Sequence, residues 1–521
     1  MILNSLDIGV LVAYTFILLF VAYWVSREKK GHDKNASDYF MASKSLPWWA
    51  IGASLIASNI SAEQIIGMSG SGFVIGMGIA AYELMAAITL IIIAKYFLPI
   101  FLAKNISTMP QFLEQRYDGR VRTILAIFWL ALYVFVNLTS VLYLGSLAIS
   151  QFLGVDMVYG MIFLALFSIT YSIYGGLKAV ALTDIIQVTL LVLGGLFVSY
   201  LALNQISGGE GAIDGFGILL DKAPEKFDMI LSKDNPHYKN LPGISVLLGG
   251  MWIINISYWG FNQYIIQRAL AAKSVQEAQK GMAFAAYVKL FVPVIVVLPG
   301  ICAFVLAPDL TKPDHAYPTM MKYLPHGLLG IAFAALVAAI ASSLSSMSNS
   351  VSTIFTMDIY KKLISPTASE HRLVFVGRLT AFVAMVTAVV LAKPFVGKSQ
   401  QAFQFIQEFT GFFTPGIVVI FVFGFFWKRA TATAALVAAI SSFVLSGFFY
   451  FFLPEFPFMD RIAVVFAICV ALAILVTLLS GAKVQEKAID LSDISFKTTT
   501  GFNVAAVGVI AILTAIYSVW W

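Results

Sequence analysis

Ala57-Ser58-Asn59-Ile60-Ser61-Ala62-Glu63-Gln64 interrupts an otherwise apolar run over about 47–71. Asn255-Ile256-Ser257-Tyr258-Trp259-Gly260 interrupts a second, over about 243–266. A bilayer-crossing helix needs ~20 apolar residues, and unwound backbone at that depth is tolerated only where it lines a cavity. Working outward from these two stretches, further apolar runs are expected at 7–26, 78–102, 122–153, 157–174, 184–205, 280–307, 327–356, 373–393, 400–427, 430–453, 459–481 and 502–521, about fourteen helices in all. The predicted starts of the two interrupted runs lie five helices apart. An odd repeat length inverts the second copy in the membrane, which is the pattern of an inverted-repeat transporter with two discontinuous helices. The chain is thus expected to be an all-α polytopic membrane protein with one transporter domain over 1–521. Its first repeat covers 47–205, its second 243–427, and the helices of 1–46 and 428–521 are peripheral. Asn and Ser also sit in unbroken helices, so the interruptions alone leave that second reading open.

Composition points the same way. Hydrophobic residues make up 60% of the 521 positions and charged residues 12%, against roughly half and a quarter in soluble domains. The net charge of +6 is no argument for nucleic acid, because the basic residues fall in loops between apolar runs. Arg27, Lys29, Lys30, Lys34 and Lys44 lie in one such loop; Lys104, Arg116 and Arg120 in another. Lys178, then Arg268, Lys273 and Lys280, then Lys361, Lys362 and Arg372, then Lys428 and Arg429 follow on the same side. That side is expected to be cytoplasmic, which puts both termini outside. The first run has Asp7 and no basic residue before it, unlike a signal peptide, and is read as a retained helix. Loop 206–242 is read as a partly ordered external cap. Cys302 and Cys469 fall in different apolar runs and read as free buried thiols. The five histidines show no metal-ligand spacing, and Gly70-Ser71-Gly72 is no dinucleotide fingerprint. Asn35-Ala36-Ser37 fits a glycosylation sequon but lies on the expected cytoplasmic side.

Ionisable and amide groups within the apolar runs carry the chemistry. Glu83 and Lys289 each cost about 2.5–3.5 kcal/mol at mid-bilayer, so each calls for a partner or a wet cavity. They form either an ion pair locking two helices or a pair of polar groups facing a cavity, and both roles are compatible. Gln64, Asn255 and Gln407 add amides, which donate and accept and so suit a neutral ligand dense in hydroxyls; singly, such amides also serve as interhelical glue. Tyr258 offers an aromatic face to a sugar ring, or packs ordinarily. In Ala339-Ile340-Ala341-Ser342-Ser343-Leu344-Ser345-Ser346, positions 339, 342, 343 and 346 share one broad face. Their hydroxyls and carbonyls are hard ligands suited to sodium, and a small-residue packing face is the competing reading. Asp184 is either an anionic oxygen for that cation or a helix-start acid.

Longer stretches resemble the sodium/solute symporter family over essentially the whole chain, most closely its bacterial sodium/galactose (sodium/glucose) branch. They are Ser45-Leu46-Pro47-Trp48-Trp49 running into 57–64; Tyr174-Gly175-Gly176-Leu177-Lys178-Ala179-Val180 with Thr183-Asp184-Ile185-Ile186-Gln187; Tyr258-Trp259-Gly260-Phe261-Asn262-Gln263 with Gln267-Arg268; and Phe403-Gln404-Phe405-Ile406-Gln407-Glu408. The resemblance implies that Gln64, Glu83, Asn255, Lys289 and Gln407 hydrogen-bond a sugar, with Tyr258 as inner gate. Met68, Tyr82 and Phe403 would belong to an outer gate, and Asn59 would brace the first break. It further implies sodium (Na+) at the carbonyls of Ala57, Ile60 and Ala339 and the hydroxyls of Ser342 and Ser343. A second sodium would use Asp184, Ser345 and Ser346, where Ser345 also reads as a small packing residue. One position departs from the branch: Ala86 stands where a Ser follows the cavity Glu by three residues, which bears on which sugar is taken.

The resulting expectation is sodium-driven symport of a neutral hexose, galactose or glucose, across the inner (plasma) membrane. Its partners are the sugar, the ion and the lipid bilayer, with no nucleic acid and no obligate protein. A rival is sodium symport of an anionic or amino-acid solute, such as sialic acid. A carboxylate usually calls for a donor fork such as Arg, and no Arg falls inside the predicted cavity helices. A channel or sensor is the other rival; an enzyme is not expected, since no nucleophile–base pair or metal cluster is found.

Overall fold

A computed structural model describes residues 3–26, 42–397 and 402–521. Arg27, Lys29, Lys30, Lys34 and the Asn35-Ala36-Ser37 sequon therefore lie outside the described residues. Among the described residues the chain is helical throughout, and its only β feature is an isolated bridge between Leu46 and Ala272.

Ten helices position the site: α1 (Ser5–Ser26), α2 (Trp48–Asn59), α3 (Ser69–Val74), α4 (Ala81–Ile92), α5 (Met157–Ile206), α6 (Gly250–Ile256), α7 (Gln263–Leu270), α8 (Val275–Leu306), α9 (Leu328–Ile354) and α10 (Ala402–Thr410). Both expected breaks are present, the first within its expected stretch and the second two residues past it. Helix α2 stops at Asn59, Ile60 turns extended (φ −76°, ψ 102°), and a π-helical segment Glu63–Met68 leads into α3. The second break falls at Asn262 (φ −84°, ψ 118°), between the π-helical Ser257–Phe261 and α7. Each break follows from its sequence. The Ser61 amide, which an unbroken helix would aim at the Ala57 carbonyl, instead donates to Gln64 Oε1 at 3.2 Å. The Asn262 side chain accepts from Tyr133 Oη at 2.5 Å, and the same hydroxyl accepts from Gln263 N at 2.9 Å, holding the kink open.

One expectation fails. The runs 157–174 and 184–205 are not separate helices but parts of α5, fifty residues long. Nothing between them forbids helix: the segment lacks proline, and Gly175-Gly176 only weakens it. At 1.5 Å per residue α5 would measure ~75 Å if straight, against a ~30 Å hydrocarbon core. Nor is the count of fourteen reproduced. Nine helices among the described residues are long and apolar enough to cross, or ten if Ala402–Thr410 and Thr414–Phe426, bent by 44°, form one span. The broken helices drop out because each half is too short alone. Loop 206–242 contains the helix Ala212–Lys222, and its Lys226 Nζ donates to the Val74 carbonyl at 2.7 Å, closing the end of α3.

Helix α8 is the spine of the site, packing against α2, α3 and α4. Ser274 is its N-cap, the hydroxyl accepting from Glu277 N at 3.3 Å. Glu277 Oε2 in turn accepts from Trp48 N at 2.8 Å, so this carboxylate caps α2. Glycine permits the contact with α3. A Cβ at Gly300 would fall 2.0 Å from the Ser69 carbonyl oxygen, and one at Gly72 2.7 Å from that of Val297. Pro293 within α8 has no N–H to give the carbonyl four residues back, that of Lys289. Helix α9 packs on α5 and α1. Its start is held by Asp7 of α1, whose Oδ1 accepts from Gly327 N at 2.7 Å and Gly330 N at 2.9 Å.

Candidate functional site

Two polar clusters lie between these helices. The first is built on Lys289 of α8, fully buried. Its ammonium donates to Glu83 of α4 and to Asn59 Oδ1 at the end of α2, and lies 5.1 Å from the Trp259 ring centroid. Asn59 Nδ2 donates to Tyr258 Oη at 2.9 Å, and Tyr258 and Tyr264 share a hydrogen bond of 2.6 Å. A single chain of contacts thus joins α4, α8, the first break and the second. Charge on Lys289 and Glu83 is mutually compensated, as burial requires, and the Asn59 amide spans both breaks.

The amides differ in how they are held. Gln64 is buried, and its Oε1 accepts from the backbone and hydroxyl of Ser61 at 3.2 and 3.4 Å. Asn255 is buried with its Nδ2 turned to its own helix, on the Met251 carbonyl at 3.1 Å. It therefore does not join the Lys289 chain through that donor. Gln407 of α10 is half-buried. Tyr82 and Phe403 meet edge to face, ring centroids 5.1 Å apart, and Met68 is fully buried. A Cβ at Gly67 would lie 3.0 Å from that of Phe403, so the π segment and α10 touch. The three expected outer-gate residues therefore lie on three elements, two of them in direct ring contact.

The second cluster joins α2, α5 and α9. Asp184 Oδ1 accepts from Ser342 Oγ and Oδ2 from Ser54 Oγ, each at 2.5 Å. Ser343 Oγ donates to the Ser58 carbonyl at 3.0 Å, and the hydroxyls of Ser58 and Ser346 are 2.9 Å apart. Ala57, Ile60 and Ala339 are buried here, and Ser61's bond to Gln64 leaves the Ala57 carbonyl without its helical donor. Ser345 Oγ donates to the Ser342 carbonyl at 2.8 Å, along its own helix. Arg268 corrects the expectation that no arginine enters the cavity helices. It is fully buried on α7, donating to Ser54 Oγ at 3.2 Å, to the Tyr264 carbonyl at 2.7 Å and to Ser346 Oγ, with Asp184 as an electrostatic neighbour. Its donors are engaged by protein groups, so it does not present an open fork for a carboxylate solute.

The sequence analysis gave no site role to Ser54, Glu63, Tyr133, Tyr264 or Arg268. Spacing offered a signal for three of them: Ser54 lies one helical turn before Ser58, and Tyr264 one turn before Arg268. Glu63, buried with Oε1 unpartnered, carried the plainest sign, a carboxylate in an apolar run.

Comparison with known proteins bears on this geometry. The sequence pattern of the sodium:solute symporter family matches residues 39–441. The chain belongs to that family. Among symporters similar to it is a sodium/glucose cotransporter of Vibrio parahaemolyticus, 50% identical over 100% of this chain and 99% of the relative. The human sodium/myo-inositol cotransporter 2 is 36% identical over 84% of this chain and 69% of the relative. In fold, the symporter resembles a substrate-bound, outward-open Na+-coupled sialic acid symporter (TM-score 0.80, 24% identity, 91% of this chain and 98% of the other). It also resembles a nucleobase-cation-symport-1 family transporter in a closed conformation (TM-score 0.53, 15% identity, 87% and 98%). Symporters of this family are transporters, not enzymes, and sodium is their coupling ion.

Proposed function

We propose that the chain imports a neutral hexose, galactose or glucose, driven by sodium. The observation that carries this reading is Lys289 held between Glu83 and Asn59 beside Tyr258. That arrangement puts a compensated pair of charges and the Asn59 amide beside the two helix breaks. Such groups exchange hydrogen bonds with sugar hydroxyls without needing a charged solute. The sugar would be bound by Gln64, Glu83, Asn255, Lys289 and Gln407, with Tyr258 beneath it and Met68, Tyr82 and Phe403 above.

Sodium would bind the carbonyls of Ala57, Ile60 and Ala339 with Ser342 and Ser343, tying the first break to α9. An ion there favours the state in which these two parts stay together, which is how it biases the sugar site. Its loss to the cytoplasm would let them part. A second ion would use Asp184 with Ser345 and Ser346, beside Arg268. The two five-helix units, 47–205 and 243–427, would move against each other in the inner membrane, with both chain termini outside. Competition in reconstituted vesicles tests the substrate: unlabelled galactose and glucose should displace labelled sugar, and sialic acid and proline should not. Displacement by sialic acid or proline at comparable concentration would reject the neutral-hexose reading, and displacement by myo-inositol alone would move it to a cyclic polyol.

A further inference from the structure

Gln187 of α5 is fully buried, and neither its Oε1 nor its Nε2 has a hydrogen-bond partner. A buried amide with all its valences open is rare enough to require an explanation. Its place in the fold supplies one. Helices α5 and α9 run antiparallel here: Asp184 meets Ser342, while ten residues on, a Cβ at Gly194 would lie 3.4 Å from Ala332 and Ala335. Gln187 precedes Gly194 by seven residues, about two turns, and so shares its face. The same two turns along α9, from Ala332 and Ala335, lead to Ala339 and Ser342. These are two of the groups assigned above to sodium. Gln187 also follows Asp184 by three residues, on the same side of α5.

We propose that Gln187 is a further sodium-coordinating residue, its amide oxygen completing from α5 the oxygen set offered by α2 and α9. An amide oxygen is a hard, neutral ligand of the kind a small hard cation takes. The inference rests on the sodium site proposed above. It adds a third helix to that site, so that release of the ion frees α5 from α9 as well as the first break from α9.

The test is the sodium-dependent rise in melting temperature of the purified full chain in detergent, with potassium at equal ionic strength as control and no sugar present. Gln187→Met, matched in length but without the oxygen, should raise the half-saturating sodium concentration by about tenfold, the scale of one lost ligand bond. Gln187→Glu, which keeps the oxygen, should hold it at or below the parental value. A half-saturating concentration for Gln187→Met within twofold of the parent overturns the inference. Should Gln187→Met not fold, Gln187→Glu decides: a tenfold loss of sodium response there overturns it equally. Ser343→Ala separates failure of Gln187 as a ligand from failure of the sodium site itself. If Ser343→Ala and both Gln187 variants respond as the parent does, the sodium site itself is misplaced; if Ser343→Ala alone loses the response, only Gln187 is excluded from it.

Discussion

Removal of the Lys289 ammonium should show whether the Lys289–Glu83 pair binds substrate or merely clasps two helices. Both side chains are buried, 1% and 4% exposed. Lys289→Met leaves the Glu83 carboxylate buried without its counter-charge, a loss of about 3–5 kcal/mol. Adding Glu83→Gln removes the second charge, and replacing both members of a buried pair with neutral groups is often close to neutral for stability. Most of the loss should therefore return in the double variant. Sugar binding should not return, because two hydrogen bonds to desolvated hydroxyls are weakened at about 1–3 kcal/mol each. The expected fall is roughly a hundredfold in apparent affinity, at tenfold per 1.4 kcal/mol. The assay is a four-protein cycle of parent, Lys289→Met, Glu83→Gln and the double variant. Melting temperature in detergent and sodium-driven galactose uptake in vesicles are read for each. Parental uptake by the double variant would refute the substrate role and leave the pair a clasp. Parental melting of Lys289→Met would refute the buried ion pair itself.

Other perturbations probe the rest of the account. Ser343→Ala, which loses a hydroxyl held at the Ser58 carbonyl, should abolish sodium stimulation of uptake; unchanged sodium dependence would place the ion elsewhere. The two-ion reading expects a sodium-to-sugar ratio of two from reversal potentials in vesicles, falling to one in Asp184→Ala; a parental ratio of one, unchanged by Asp184→Ala or Ser345→Ala, contradicts it. On the loop after α8, burial pushes the Asp314 carboxyl up to about 7, partly offset by the Ala402 amide and Lys312. The folded protein therefore holds a proton that the unfolded chain has released between about pH 4 and 7, and this contribution to stability is lost as pH rises through 7. The parent should melt higher at pH 6 than at pH 8, and Asp314→Asn should flatten that difference; equal slopes in the two proteins would exclude Asp314 as its source.

Fold class and the neighbourhood of each break were legible because the bilayer penalises polar residues so heavily that Asn59 and Ser61, or Asn255 and Ser257, stand out against their apolar surroundings; the second break itself falls at Asn262. The pairing of Lys289 with Glu83 was legible for the same reason: two opposite charges in membrane helices find each other or are not tolerated. What the chain hid were contacts set by tertiary approach. Arg268 lies just past an expected helix end and reads as a loop cation until α7 buries it against Ser54 and Ser346. The continuity of α5 was obscured because 174–183, with Gly175-Gly176 and Lys178, looks like a cytoplasmic loop yet is helical. Asn255 and Gln64 show the limit of residue type as a guide, since an amide that suits a sugar equally suits the backbone beside it, and only geometry reveals which it meets.

In the proposed cycle a sodium gradient drives uphill movement of a hexose through this chain, and uptake of radiolabelled galactose or glucose into reconstituted vesicles decides whether it does. With sodium outside and potassium inside, internal sugar should rise above the external concentration and then collapse when the sodium gradient is dissipated. Equal potassium on both sides should give no accumulation, and Ser343→Ala should behave as if sodium were absent. Sugar that merely equilibrates, at the same rate with or without the sodium gradient, would contradict the account.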